Sequence, residues 1–264
     1  MSDSRPTKGR IVWHDLMTTD PKASLAFFTG LLGWTTKEVP MGPVFGNYTM
    51  FGAGGKDMAG MMPLDGSKGI PSHFLAYISV DDIDEALAFA EKNGGKIAVP
   101  KMDVPNVGTF AVVLDPQGGV TSPMKMANSI PEDSGPPPIG DFCWEELMTM
   151  DPGASIAFYT GLYGWTTSVM PMPEGDYTLC SRGDRQTCGM MKTPSDAPQM
   201  TYWMAYIHVE DVDASAEKAK TLGGMVLVPP MDIPNIGRFS CIADPTGATF
   251  ALFKGAQAMT DKPA

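Results

Sequence analysis

The sequence predicts an α+β protein of two tandem domains. Each domain reads as a pair of βαβββ units, with mostly antiparallel strands and helices on the outer faces. Three observations predict this. The chain repeats itself at about half its length, each half runs twice through the same strand–helix–strand rhythm, and a Pro- and Gly-rich segment separates the halves.

Residues 13–35 read WHDLMTTDPKASLAFFTGLLGWT and residues 144–166 read WEELMTMDPGASIAFYTGLYGWT. Sixteen of these 23 positions are identical at an offset of 131, which chance does not produce. Further on, Gly60-Met61-Met62 returns as Gly189-Met190-Met191 and MDVPNVGTF from Met102 as MDIPNIGRF from Met231. Asp115-Pro116 returns as Asp244-Pro245, so the offset has fallen to 129. A repeat this long is a duplicated domain rather than a solenoid period. The expected boundaries are residues 1–126 for the first domain, 127–139 for a linker and 140–264 for the second. The linker is rich in Pro, Gly, Ser and acidic residues and can bury little apolar surface.

Within the first copy the elements follow in order. A strand is expected at Ile11 to Met17. Thr19 or Asp20 can cap a helix with Pro21 in its first turn. Leu25, Phe28 and Leu32 fall at helical spacing, and Gly33 stops the helix. Strands are expected at Tyr48–Phe51, Met58–Pro63 and Phe74–Val80. A helix over Asp82–Lys92 ends at Asn93-Gly94-Gly95. Short strands near Lys96–Val99, Thr109–Leu114 and Val120–Met126 close the copy.

Bulk properties narrow the function. The 264 residues suit two domains, and 43% hydrophobic content supports sizeable cores. A net charge of −11 repels phosphate backbones and anionic lipid, so neither nucleic acid nor a membrane is an expected partner. The apolar runs are strand-sized, and the polar start MSDSRPTKGR has no signal-peptide core, which makes the cytoplasm the default expectation. Cys143, Cys180, Cys188 and Cys241 show no CxxC spacing, so a disulfide framework or a zinc site is not expected. The run Gly52-Ala53-Gly54-Gly55-Lys56 lacks phosphate-loop spacing and reads as a turn. No GxSxG elbow is present, and no motif calls for a cofactor.

The DPxxSLxFFxxxLGW segment after the first strand, with DPxG before the last, resembles the vicinal-oxygen-chelate superfamily, the glyoxalase/bleomycin-resistance/dioxygenase-like proteins. The likeness covers nearly the whole chain and is closest to two-domain members. It implies a curved, partly closed sheet around a cleft in each domain, with a divalent metal held there by His, Gln or Glu and bound to vicinal oxygens of a substrate. It also implies an intramolecular pseudo-dimer of the two domains, in a monomer or a homodimer. Counted from the motifs, the family's first-strand ligand position holds Trp13 and Trp144. The last-strand position holds Ser122 and Ala251. The second-unit position falls at Leu75 and Met204, and the remaining one within Met61-Met62 and Met190-Met191. These side chains offer no good set of N or O ligands, so no metal residue is assigned.

Other groups stand near those positions. Strand alternation puts Trp13, Asp15 and Met17 on one face, and Trp144, Glu146 and Met148 on the equivalent face. His14 points to the other side, whereas His73 shares the face of Leu75. His208 stands where the first copy has Ser79. Each cleft would hold an indole, a carboxylate and methionines, the chain carrying 21 Met. One reading is a mainly apolar small-molecule pocket with an acid for orientation or proton transfer, lined by Trp13, Met17, Met61, Met62, His73, Leu75, Ser122, Trp144, Met148, Met190, Met204 and Ala251. The other is a filled core with the acids bonded to main-chain groups. Tyr48 and Tyr177 are placed to reach the rim or to pack in the core. Asn106 and Asn235, in repeated PN-hydrophobic-G loops, read as turn residues.

Three functions follow. The first is a metal-free binder of a small molecule. The second is a metal-independent lyase, isomerase or hydroxylase-like enzyme with Asp15 or Glu146 as general base. The third is a metal-dependent glyoxalase-type lyase or dioxygenase with displaced ligands, for which His73 with Asp15 is the only constructible set.

Overall fold

The computed structural model of the chain describes residues 8–41, 46–128, 130, 135–172 and 175–256. The first copy contains β1 (Ile11–Thr18), α1 (Pro21–Leu32), β2 (Thr35–Pro40), β3 (Asn47–Ala53), β4 (Lys56–Pro63), β5 (His73–Ser79), α2 (Ile83–Lys92), β6 (Lys96–Val104), β7 (Gly108–Leu114) and β8 (Val120–Met126). The second contains β9 (Phe142–Thr149), α3 (Pro152–Tyr163), β10 (Thr166–Met172), β11 (Gly175–Arg182), β12 (Arg185–Lys192), β13 (Tyr202–His208), α4 (Val212–Thr221), β14 (Met225–Ile233), β15 (Gly237–Ala243) and β16 (Thr249–Gly255). Part of the expected linker, residues 129 and 131–134, lies outside the described residues.

The strands form two eight-stranded sheets, ordered β2-β3-β4-β1-β5-β8-β7-β6 and β10-β11-β12-β9-β13-β16-β15-β14. The fold is α+β, as the repeat predicts. The hairpin neighbours pair antiparallel, while β1 with β4 and β5 with β8 pair parallel, because a helix or a hairpin intervenes in each crossover.

One element was not expected. The edge strands β2 and β10 follow each Gly-Trp pair, and the first βαβββ unit of each copy thereby gains its second strand. TTKEVP in β2 is exposed at nearly every position, so it carries no apolar alternation for sequence to reveal. Its strand character comes from pairing with β3, Thr36 to Phe51 and Glu38 to Thr49.

The helix motif has a direct physical meaning. The Asp20 carboxylate accepts from the Ala23 N–H at 3.1 Å, Pro21 opens α1, and Gly33 ends it with φ 70°. That left-handed residue turns the chain so that Trp34 enters the core, where its Nε1–H donates to the Gly140 carbonyl at 2.8 Å. Trp165 does the same to Gly9. In the DPxG turns, Asp115 Oδ1 accepts from the Gln117 and Gly119 N–H groups, and Asp244 Oδ1 from those of Thr246 and Ala248. Asn106 and Asn235 each take φ 64°, in agreement with the turn reading.

Packing divides the chain differently from the repeat. One compact unit comprises Met1–Trp13, Leu75–Asp133 and Trp144–Met204, the other His14–Phe74, Ser134–Cys143 and Ala205–Ala264. Each unit takes half of each sequence copy, and β1, β5, β9 and β13 run across the division. In the first unit α2 packs against α3 over a core that includes Ile78, Val113, Leu147, Phe158, Tyr159 and Met190. In the second, α1 packs against α4 over Leu16, Phe27, Phe28, Phe51, Ile207 and Phe250. Phe28 stacks on Trp34 at 5.2 Å and meets Phe74 edge-on at 5.5 Å. Each aromatic ring fully buried in this way contributes about 1.5–3 kcal/mol through removal from water. Among the described residues no helix is long and apolar enough to cross a membrane.

Candidate functional site

The core fixes which strand faces are left for chemistry. In β1, Leu16 lies in the second unit's core and His14 stacks on Phe142 at 3.8 Å, so Asp15 and Met17 alternate onto the opposite face. The β1–β4 register pairs Asp15 with Gly60, Leu16 with Met61 and Met17 with Met62. Paired residues share a face, so Met61 goes into the core with Leu16, while Met62 joins Asp15. In β3, Met50 pairs with Gly60, which brings Met50 and Tyr48 to the same face.

The central feature of this face is a carboxylate–phenol pair. The Tyr48 hydroxyl donates a hydrogen bond to Asp15 Oδ1. Asp15 is 4% exposed, and Tyr48 is half-buried. Gly60 makes the contact possible. A Cβ at this position would overlap the Tyr48 hydroxyl and sit 2.6 Å from Asp15 Oδ1.

The first unit repeats the arrangement with longer side chains. Glu146 pairs with Gly189, Leu147 with Met190, and Met148 with Met191. The Tyr177 hydroxyl donates to Glu146 Oε2 at 2.8 Å and accepts from Trp144 Nε1–H at 2.9 Å. Burial first, and then the negative charge of Glu146, push the Tyr177 phenol far above its ordinary value, so it keeps its proton and stays a donor. A Cβ at Gly189 would overlap the Tyr177 ring. The Tyr202 hydroxyl donates to Met148 Sδ at 2.9 Å.

The remaining sequence candidates fall as follows. Met61 and Met190 were expected to line the clefts and instead stand in the two cores, at 5% and 0% exposure. Pairing with Leu16 and Leu147, one residue away from the glycines, turns them inward. Trp13, Leu75 and Ser122 belong to the first unit, whereas Asp15 belongs to the second. Ser122 is fully enclosed and donates to the Ala111 carbonyl at 2.7 Å. Ala251 is fully enclosed in the second unit, opposite Cys241. Met204 is 4% exposed. Sequence reasoning left Tyr48 and Tyr177 open between rim and core, and it missed Gly60, Gly189 and Tyr202. The signal for the glycines was present, because each precedes a repeated Met-Met pair and lies 12 residues after its tyrosine in both copies.

His73 lies in β5 beside Phe74, which is part of the same core as Leu16. His73 therefore alternates onto the face of Asp15, Met17, Tyr48 and Met62. Its Nδ1–H donates to the Pro71 carbonyl at 2.8 Å, since a carbonyl can only accept. Burial pulls its pKa below the ordinary 6.5, and the bond to Pro71 opposes this in part. A depressed folded value means the unfolded chain takes up the proton more readily. The corresponding stability is fully present above about pH 6.5 and is lost as pH falls through the folded value. Denaturant midpoints from neutral to mildly acidic pH should therefore fall less steeply in His73→Gln than in the wild type. Equal slopes would contradict the burial of this ring.

Two crevices lie elsewhere. One, of about 180 Å³, sits at the start of α2 beside Lys8, Asp82, Glu85 and Phe89. The other, of about 330 Å³, lies at the β14–β15 turn beside Asp232, Asn235 and Arg238. Neither contains a carboxylate–tyrosine pair, and the second is edged by the Arg238 ion pairs with Asp213 and Asp232.

Comparison with known proteins gives a consistent answer. The family model described as "Glyoxalase/Bleomycin resistance protein/Dioxygenase superfamily" matches residues 10–121 and 143–252. The chain is 34% identical over 247 residues to "Putative glyoxylase CFP32" of Mycobacterium tuberculosis (strain CDC 1551 / Oshkosh), covering 92% of this chain and 94% of that protein. It is 30% identical over 263 residues to "Anthracycline biosynthesis protein DnrV" of Streptomyces peucetius, covering 94% of each. Among solved structures, the Mn(II)-bound glyoxalase from Novosphingobium aromaticivorans matches with a TM-score of 0.64 at 16% identity, over 98% of this chain and 88% of that one. The 2,3-dioxygenase LapB from Pseudomonas sp. KL28 matches with a TM-score of 0.62 at 13% identity, over 95% and 94%. At these identities the structural matches speak for the fold alone.

Few nitrogen or oxygen donors surround Asp15 and Glu146 on these faces. Among the described residues no three His, Cys, Asp or Glu side chains come together. Asp15 and Glu146 are already engaged by tyrosine hydroxyls. Met and Trp side chains around them are poor ligands for the hard and borderline cations that oxygen substrates require.

Proposed function

The chain belongs to the Glyoxalase/Bleomycin resistance protein/Dioxygenase superfamily, and from that premise we propose that it binds a small, mainly apolar molecule without a metal. The ligand lies against Asp15, Met17, Tyr48 and Met62 in one unit, and against Trp144, Glu146, Met148, Tyr177 and Met191 in the other. The observation that carries this reading is the carboxylate–tyrosine pair set over a glycine in both copies. A carboxylate this enclosed is costly unless it is bonded, and the phenol supplies part of that bonding. Methionine and tryptophan supply adaptable apolar contact around it.

The chemistry available is acid–base. A carboxylate among apolar side chains can orient a ligand hydroxyl or take up a proton, and the tyrosine hydroxyl that donates to it holds it in place. That CFP32 is called a glyoxylase and DnrV an anthracycline biosynthesis protein is compatible with ligands bearing carbonyl or hydroxyl oxygens.

The test uses 1-aminoanthracene, a fluorescent apolar amine that can donate to a carboxylate. Titration should give saturable binding at up to two sites. Asp15→Asn combined with Glu146→Gln should weaken it about tenfold or more, equivalent to about 1.4 kcal/mol. Thermal unfolding of the variant serves as the folding control. Non-saturable binding, or equal affinity in the folded double variant, would sink this reading.

A further inference from the structure

One of the differences between the two copies' faces bears on proton transfer. At the offset of 129, His73 of β5 corresponds to Tyr202 of β13. Tyr202 is occupied, its hydroxyl donating to Met148 Sδ. His73 has its Nδ1–H fixed on the Pro71 carbonyl, so its Nε2 carries a lone pair. The strands β1 and β5 are neighbours in one sheet, and Asp15 and His73 lie on the same face within one compact unit.

We infer that His73 is a second proton acceptor in the first copy's site, and that the copies have divided their work, the first removing a proton from its ligand and the second holding a ligand without doing so. This rests on the binding reading above and deepens it by naming the ligand class. The first site takes a flat, mainly apolar molecule with an acidic C–H or O–H next to an electron-withdrawing group. Asp15 is engaged by the Tyr48 hydroxyl, which fixes the orientation of its carboxylate. Burial favours the neutral form of the imidazole, so its Nε2 lone pair is present near neutral pH. The Tyr48–Asp15 pair then serves to orient the ligand, with the phenol proton facing the carboxylate.

The probe for this is 5-nitrobenzisoxazole, which ring-opens on loss of one proton. The base takes the C3 proton, the C–H electron pair completes the nitrile, the N–O bond breaks, and its electrons remain on the phenolate oxygen. No oxidant or cofactor is needed. The full-length protein should accelerate this reaction over buffer. His73→Gln and His73→Tyr should each lower the rate at least about tenfold, on the low side of what a positioned base contributes. Tyr is the residue the fold already carries at the matching place, which guards against a folding failure. No acceleration by the wild type, or wild-type rates in both folded His73 variants, would overturn the inference. Saturable 1-aminoanthracene binding alongside that result would leave the binding reading standing, whereas absence of binding would remove both.

Discussion

Gly60→Ala should destabilise the protein by about 2–4 kcal/mol, the sum expected for forcing atoms into a filled site and breaking a buried hydrogen bond. The new methyl would overlap the Tyr48 hydroxyl and press on Asp15 Oδ1. Gly60 has no positive φ, so backbone strain plays no part and the cost is steric. Either Tyr48 swings away and Asp15 loses its phenol, or β3 and β4 shift. A double-mutant cycle separates this from general damage to the strand. In a Tyr48→Ala background the same substitution should cost under about 1 kcal/mol, because the two nearest clashing atoms have gone and the Asp15 carboxylate can turn into the space they leave. Gly189→Ala with Tyr177→Ala should behave in the same way. A full cost in both backgrounds would mean that the glycine serves something other than the tyrosine. The readout is the urea midpoint at unchanged slope.

Tyr177→Phe should cost about 1–3 kcal/mol, the range for removing one partner from a buried polar group. This hydroxyl joins Trp144 Nε1–H to Glu146 Oε2, so two bonds disappear together. Because the phenol keeps its proton well above neutrality, the loss should be the same at neutral and mildly alkaline pH. The indole fluorescence of Trp144 should also change, since its N–H loses an acceptor. A cost below about 0.5 kcal/mol, the level of an ordinary surface substitution, would show that the network is incidental.

Much of this was legible before any coordinates. Period-two alternation put Asp15 on one side of its strand and His14 on the other, and the core confirms the division. The capped helix followed from Asp20-Pro21 and its end from Gly33. Other features had no local signal. β2 is solvent-exposed on an edge and exists through its pairing with β3. Which methionine of each Met-Met pair faces the core depends on register with β1 or β9, and register is a property of two strands rather than one. The carboxylate–tyrosine pairs join residues 33 and 31 positions apart, so only the folded sheet brings them together. The compact units were hidden for a different reason. The two copies carry nearly the same apolar pattern, so sequence gives no preference for which half packs with which.

The central claim is that these faces work without a metal, and the most direct measurement is the metal content of natively purified, untagged protein by elemental mass spectrometry. The account predicts far less than one Fe, Ni, Zn or Mn per chain, with 1-aminoanthracene affinity unchanged by chelator. One tightly held metal per chain, with binding lost on its removal, would contradict it.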